Sequence, residues 1–542
     1  MEHLEPKKKI LIMLAIMSAM LFAALNQTIV GTALPTIISE LGGIEYYSWV
    51  FTIFMLTSSV TAILVGKLSD MYGRKPFILI GIGVFTAGSF LNGLSTSIIE
   101  LIAFRGIQGL GAGMIMSTSF TAVGDLFAPR ERGRWQGLMG GIFGLASVFG
   151  PTLGGWIVDN AEWHWVFWVF LPFGLVAFLM IWRLFPSQTI KEKKKVDYLG
   201  SIMLSLTIIP LLLAFTWGGN DFEWVSFQIT GLFSVTAAAL ILFIMIEKRA
   251  ANPVLPLHLF KNQIFTLSNA IGFILGAGMF GAIMYMPFFI QGVIGTSATK
   301  SGFVMMPMTL SMVFASAIGG QIITKTGKYK LIALIGLFVM GSGLASLSMM
   351  ASDTTNTTAV INMIIVGLGL GLSFPVFTLT VQNAVQHQYL GVATAATQLF
   401  RQIGGTVGVA IMGTVMNNSM STRMNQELSK LRGNSDLEAL PPEAAAQLQT
   451  LQSPQSLMDG EKLQEIQASL PNEMQAVFVK TIEIVRESLS YSLTNVFLIG
   501  AFVLFSGFLL TFFLKEIPLR MSNKDEQENE IQSGQESQSV KA

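Results

Sequence analysis

Residues 66–75 read Gly66-Lys67-Leu68-Ser69-Asp70-Met71-Tyr72-Gly73-Arg74-Lys75, a short polar segment between apolar runs at 47–66 and 77–95. A related segment returns much later as Gly320-Gln321-Ile322-Ile323-Thr324-Lys325-Thr326-Gly327-Lys328-Tyr329. Two apolar runs beyond each copy come Ile107-Gln108-Gly109-Leu110-Gly111-Ala112-Gly113 and Ile365-Val366-Gly367-Leu368-Gly369-Leu370-Gly371. Both pairings share nearly the same offset, so the chain repeats a unit of six helices in parallel. Thr324 stands where Asp70 stands in the first copy, so any lock formed there is expected to be asymmetric.

The runs around these segments are long and uncharged. Stretches such as 77–94 and 496–514 run for about 18 residues or more without a charge, the length that crosses a bilayer core of ~30 Å. Backbone groups in lipid have no water to bond, so each run must be helical. Spans are expected near 10–34, 47–66, 77–95, 99–121, 135–158, 165–185, 199–217, 226–246, 264–291, 302–323, 331–350, 359–381, 392–416 and 491–514. Lys7-Lys8-Lys9 before the first run imitates a signal peptide, but the run continues into Gln27-Thr28 without a cleavage site and counts as a span. Mean hydropathy is +0.60, with 52% hydrophobic and 12% charged residues. That charged fraction is about half of what soluble domains carry.

Composition removes several function classes. A net charge of +1 offers no basic surface for nucleic acid. The absence of Cys removes disulfides, thiolate metal sites and cysteine nucleophiles. His3, His164, His258 and His387 lack ligand spacing, so neither a metal nor another cofactor is expected and the chain is not read as an enzyme. No G-x-x-x-x-G-K-[ST] loop is present, so ATP is not its energy source.

Charge sets the orientation. With a cytoplasmic N-terminus, one side collects Lys67, Arg74, Lys75, Arg130, Arg132, Arg134, the lysines of 191–195, Lys248, Arg249, Lys325, Lys328 and Lys330. The other side holds Glu40, Glu45, Asp159, Glu162, Asp221 and Glu223, with Lys300 as its exception. This obeys the positive-inside rule and returns the C-terminus to the cytoplasm. The division that follows is a cytoplasmic N-terminus (1–9), a first six-helix bundle (10–186), a linker with two extra spans (187–262), a second bundle (263–514) and a cytoplasmic tail (515–542). The second bundle contains a polar extracellular loop, 418–490, whose Leu spacing suggests amphipathic helices on the outer face. The tail is charged and Gln-rich, and disorder is expected there.

On these residues the chain is identified as a member of the major facilitator superfamily, because 66–75 matches its signature loop G-x-L-x-D-x-x-G-R-K. The resemblance implies a fold of two six-helix bundles with two extra helices. It also implies that Gly66, Asp70, Gly73, Arg74 and Lys75 lock one state of an alternating-access cycle. Gly66 and Gly73 permit close approach and a tight turn, while Asp70 can meet a base or a helix N-terminus. Arg105-Gly106-Ile107-Gln108-Gly109 is similar to the family's R-x-x-Q-G motif. Gly144 with Gly150, Pro151, Gly154 and Gly155 resembles its antiporter motif, which implies export. Trp165-Val166-Phe167-Trp168, Leu171-Pro172-Phe173-Gly174 and Asp197-Tyr198-Leu199-Gly200 look like the fourteen-span drug:proton antiporter branch that includes EmrB and QacA.

A buried ionisable residue in a span is a functional candidate by default. Arg105 shares a helix face with Gln108, and Thr394, Gln398, Arg401, Gln402 and Gly405 form a second polar stripe. Together with Asn26 and Gln27 of the first span, these residues are expected to line the substrate and coupling cavity. The branch usually carries an acid where this chain has Asn26. The resemblance therefore implies proton influx as the driving force, while Asn26 cannot titrate and no span holds a carboxylate well inside it.

The leading expectation is a monomeric, bilayer-embedded cell-membrane exporter of small amphipathic compounds, with drug resistance as its readout. Phe (40) and Met (30) suit a tolerant cavity. The alternatives are a dedicated exporter of one metabolite or lipid and a transport-deficient sensor. With two buried bases and no acid, the site should favour neutral or anionic amphiphiles. Cells expressing Asn26→Asp should then gain resistance to cationic dyes; an unchanged substrate spectrum would count against this reading.

Overall fold

The computed structural model describes residues 4–42, 46–186, 196–219, 221–296, 298–432, 467 and 472–519. Among these residues, fourteen helices are long and apolar enough to span a membrane. They are α1 (Pro6–Leu41), α2 (Tyr47–Tyr72), α3 (Arg74–Asn92), α4 (Ile98–Leu126), α5 (Pro129–Asn160), α6 (Trp165–Leu184), α7 (Tyr198–Trp217) and α8 (Phe227–Glu247). The rest are α9 (Gln263–Phe288), α10 (Ala298–Thr326), α11 (Lys330–Leu347), α12 (Asn356–Ala384), α13 (Leu390–Arg432) and α14 (Asn472–Phe512). Helix starts leave free N–H groups that need acceptors. Ser97, Asp197, Ser226, Asn262 and Thr355 supply them at α4, α7, α8, α9 and α12. Gly73, the only residue between α2 and α3, has φ +87°, a conformation that L side chains resist.

The first half packs α1 on α5, α2 on α4, α3 on α4 and α6 on both α1 and α3. The second half repeats the scheme, with α9 on α13, α10 on α12, α11 on α12 and α14 on both α9 and α11. This is the two-bundle fold expected from the sequence repeat. The extra helices α7 and α8 pair as a hairpin, and α7 leans on α2 and α13. Glu247 ties off that hairpin, its Oε1 accepting from the N–H groups of Val254 (3.0 Å) and Leu255 (3.4 Å).

Two boundaries differ from the sequence expectation. The stretch from 418, expected as a loop, stays helical to Arg432, and α14 already begins at Asn472. Met416, Met420 and Met424 recur at four-residue spacing and are buried in the same core cluster as Val485 and Leu489. The outer ends of α13 and α14 therefore bury an apolar stripe together, which a hydropathy window averages away against the polar opposite face. The rest of that loop, where amphipathic helices are expected, lies outside the described residues over 433–466 and 468–471, as do the lysines of 191–195 and the tail from 520 onward.

The halves join chiefly through α5 on α10 and α2 on α13, a pair of contacts that exchanges with itself under the repeat. Small residues let these backbones meet, since apolar burial alone gives helices no reason to associate in lipid. A Cβ on Gly133 would lie 3.2 Å from the Gly320 carbonyl oxygen, and the Ser316 hydroxyl donates to the Gly137 carbonyl at 2.9 Å.

This close approach makes a prediction. A Gly133→Leu side chain has no room at the seam, and such overpacking costs about 1–3 kcal/mol. Because the chain has no native Cys, Ser316→Cys provides a single buried thiol. Its maleimide labelling should rise several-fold when Gly133→Leu is added, and unchanged labelling would mean the seam does not open there.

Candidate functional site

The 66–75 segment sits where α2 meets the start of α13. Asp70 accepts from the first free N–H groups of α13, Gly391 N to Oδ1 at 2.9 Å and Val392 N to Oδ2 at 3.0 Å. A carboxylate at a helix N-terminus is favoured both by those donors and by the helix dipole. Arg74 pairs with Asp70 and donates through Nε to Asp125 Oδ2 at 3.0 Å and through Nη1 to Ser69 Oγ at 2.7 Å. His387 Nε2 lies 3.3 Å from Asp125 Oδ1. Gly66 makes the approach possible, because a Cβ there would lie 2.7 Å from Ala395 Cβ and 2.8 Å from the Gly391 oxygen. Arg74 is thus buried between two acids rather than facing solvent, while Lys75 is half-buried.

The second copy closes with the opposite sign. Arg130, at the start of α5, donates through Nε to the Thr324 carbonyl and through Nη2 to the Lys325 carbonyl, both at 2.9 Å. These carbonyls belong to the last turn of α10, where a helix presents partial negative charge. The asymmetry expected from Thr324 therefore takes a definite form. In one copy an acid caps a helix start; in the other a base caps a helix end.

Beside this pair lies a buried polar bridge that sequence reading did not single out. Gln382 of α12 donates to the Phe120 carbonyl (3.2 Å) and Thr394 Oγ1 (2.9 Å), and accepts from Gln136 Nε2 (2.8 Å). Arg132 donates to the Gly124 (2.8 Å) and Phe127 (3.1 Å) carbonyls at the end of α4.

A cavity of about 340 Å³ lies between the halves, walled by α1, α2, α4, α5, α9, α10, α12 and α13. The structure divides the polar residues expected to line it. Gln27, Gln398, Arg401 and Gln402 are on its wall. Asn26, Arg105 and Gln108 are not; all three are fully buried behind Phe54, whose ring faces the cavity and lies 4.3 Å from the Arg105 guanidinium. Asn26 Oδ1 accepts from Arg105 Nη1 (3.2 Å) and Gln108 Nε2 (3.0 Å), and Arg105 Nη1 also reaches Gln108 Oε1 (2.8 Å). Asn26 Nδ2 donates to Ser89 Oγ at 3.4 Å, and Ser89 donates onward to the Phe167 carbonyl at 2.8 Å. Neutral dipoles thus hold this base in place.

The α5 glycines serve two interfaces. A Cβ at Gly150 would overlap Thr28, and one at Gly154 would overlap Thr32, both on α1; Thr28 Oγ1 donates across to the Ala146 carbonyl at 2.9 Å. Gly144 instead meets Val313 of α10, across the seam. Gly155 faces open space, with nothing within 4 Å of an added Cβ. Pro151 lies inside α5 and leaves the Ser147 carbonyl without its helical donor.

Residues 16–409 match the model of the Major Facilitator Superfamily. The chain is 39% identical over 535 residues to the Multidrug transporter protein MdtP of Bacillus subtilis (strain 168), covering 96% of both chains. It is 36% identical to Multidrug resistance protein 3 of the same organism, over 78% of this chain and 82% of that one. Among solved structures, the human organic anion transporter MFSD10 (TETRAN) aligns with TM-score 0.60 over 92% of this chain and 100% of its own, at 14% identity. That likeness concerns the fold.

The Asn26 network can be tested by removing its acceptor. Asn26→Leu takes an oxygen from both Arg105 and Gln108, a loss of about 1–3 kcal/mol for buried donors left unpaired. It should lower the unfolding midpoint in detergent by several degrees, whereas Asn26→Asp, which keeps both acceptors, should fall less. Equal losses would show that Asn26 does not hold Arg105.

Proposed function

The chain belongs to the Major Facilitator Superfamily, and from that premise we propose that it is a secondary active exporter of small amphipathic compounds, a multidrug efflux protein working by alternating access. One observation carries the reading: a mainly apolar cavity at mid-depth between two repeated halves, with polar clasps between those halves at one end. The named bacterial relatives, multidrug proteins alike over most of the chain, support the cargo class.

Residues 66–75 and Asp125 hold the clasped state on the α2–α13 side, and Arg130 holds it on the α10 side. Breaking both exposes the cavity to that end. The clasped end carries Lys67, Lys75, Arg134, Lys325 and Lys328, while Glu40, Asp159, Glu162 and Glu223 sit at the other. We place the clasped end in the cytoplasm by the positive-inside rule, with both termini there and the cell membrane as the location. The tight fit of Gly150 and Gly154 on α1 belongs to the motif that resembles exporters. The bundles are read as 10–186 and 263–514, joined through 187–262, and one chain supplies both cavity walls, so the monomer is the working unit. Proton influx is the coupling that the resemblance brings, yet no carboxylate or histidine stands on the described cavity wall to carry the proton.

The test is fluorescent-dye transport by the full chain in proteoliposomes, with Asp70→Asn beside the wild type. Wild type should move amphipathic dye without ATP, and no movement of any such dye under any imposed gradient would remove the exporter reading. Asp70→Asn keeps one acceptor but loses charge-assisted bonds worth about 1.5–3 kcal/mol each. Turnover should fall about tenfold or more while dye affinity stays within about threefold. Weakened binding with normal turnover would remove the clasp assignment.

A further inference from the structure

The two buried bases are held differently. Arg105 donates through Nη1 to Asn26 and Gln108 and through Nε to the Val50 carbonyl, while its Nη2 is buried behind Phe54, away from the cavity, without an acceptor among the described residues. Arg401 stands on the cavity wall, its side chain making no hydrogen bond or ion pair among the described residues and lying over the face of Phe374, whose ring centre is 4.0 Å from the guanidinium. One turn earlier on α13, Gln398 Nε2 is buried and has no acceptor. Arg401 therefore reaches the cavity wall, and Gln398 on the same helix face adds a buried amide nitrogen beside it, both without an acceptor among the described residues. A guanidinium carries five N–H donors and no acceptor, and an amide nitrogen adds two more.

The rest of the wall does not answer them. Among the described residues it contains no carboxylate. Its other polar side chains are neutral hydroxyls and amides, and among the described residues none accepts from Arg401 or from Gln398 Nε2. What the pair lacks is an acceptor carrying negative charge. Around it are Phe54, Phe143, Phe280, Phe374, Met279 and Met312, suited to an aromatic or aliphatic body. A cavity of about 340 Å³ accommodates a compound of small-drug size.

We propose that Arg401 and Gln398 form the anchor for an organic anion, a carboxylate or sulfonate on an apolar body, and that the charge of this cargo is itself the link to the driving force. The inference rests on the exporter reading and sharpens its substrate class. A cargo anion leaving a cell that is negative inside moves one negative charge down the potential. No proton need be exchanged, so no titrating side chain is required at position 26. When cargo leaves, the π face of Phe374 keeps the guanidinium partly compensated. Arg401 and Phe374 belong to the same half, on α13 and α12, so the empty carrier can return with that contact intact.

A matched pair of probes separates charge from shape: 8-anilinonaphthalene-1-sulfonate and its uncharged parent, N-phenyl-1-naphthylamine. The purified full chain should bind the sulfonate at least about tenfold more tightly than the parent, since charge-assisted bonds contribute that much or more. Arg401→Gln should abolish this preference while leaving affinity for the parent within about twofold, and Arg401→Lys should restore part of it. Retained binding of the parent reports that each variant is folded. In proteoliposomes at equal pH on both sides, a valinomycin-set potassium potential should concentrate the sulfonate on the positive side. The limit is about 50-fold per 100 mV, the ratio for one elementary charge. An imposed pH gradient at zero potential should do nothing. Equal affinity for the two probes, a preference that survives Arg401→Gln, or transport that follows pH and ignores potential would overturn the proposal while leaving an exporter. Failure to bind or move either probe would remove the exporter reading with it.

Discussion

Everything at the clasped end depends on how a helix terminus is satisfied away from water. The start of α13 leaves free N–H groups in a place where solvent is scarce, and Asp70 of the other half supplies their acceptor. The end of α10 leaves free carbonyls, and Arg130 of the other half supplies their donors. In both cases the helix terminus and its cap lie in different halves. Separating the halves therefore exposes unsatisfied backbone as well as charge, and the cost is recovered when water enters. Such a contact is suited to a two-position device, because it is satisfied when closed and satisfied when hydrated, but not in between.

Arg74 shows how the charge is managed. A lone carboxylate buried at the seam would be expensive, and so would a lone guanidinium. Asp70, Arg74 and Asp125 share the burden, with two acids around one base and the α13 N-terminus adding positive partial charge. The second copy needs no such triad, because an arginine meeting carbonyl oxygens leaves no buried carboxylate to neutralise. That difference explains why one copy of the segment is rich in charged residues and the other carries Thr324.

The sequence made some of this legible and left the rest hidden, for reasons of distance and face. Gly66, Asp70 and Gly73 could be read because their constraints are local: a turn with positive φ and an acid at a helix end. Arg130, Gln382 and Asp125 could not, since their partners come from other helices and, for Arg130, lie nearly 200 residues away. The fold itself was readable from run length and repetition, which need no tertiary information. The cavity set was readable in composition but not in placement. Asn26 and Gln27 are neighbours in the chain, yet about 100° of helical turn sends one behind Phe54 and the other to the wall. The end of α13 was hidden because its buried methionines alternate with polar residues that lower the average hydropathy.

That division of faces also explains why two buried arginines can have opposite consequences. Arg105 is held through Nε and Nη1 by amide and carbonyl dipoles fixed by packing, and it is kept off the cavity wall by Phe54. Its neighbours Asn26, Gln108, Ser89 and Asn92 form one connected chain of hydrogen bonds, which resists any local rearrangement. Among the described residues the Arg401 guanidinium meets an aromatic face and no hydrogen-bond acceptor. A rigid dipole shell would have satisfied it equally well and left the cavity indifferent to charge. By leaving those donors open on the wall between the halves, the fold makes compensation of Arg401 depend on what occupies the cavity, and so makes the cavity selective through its unmet need.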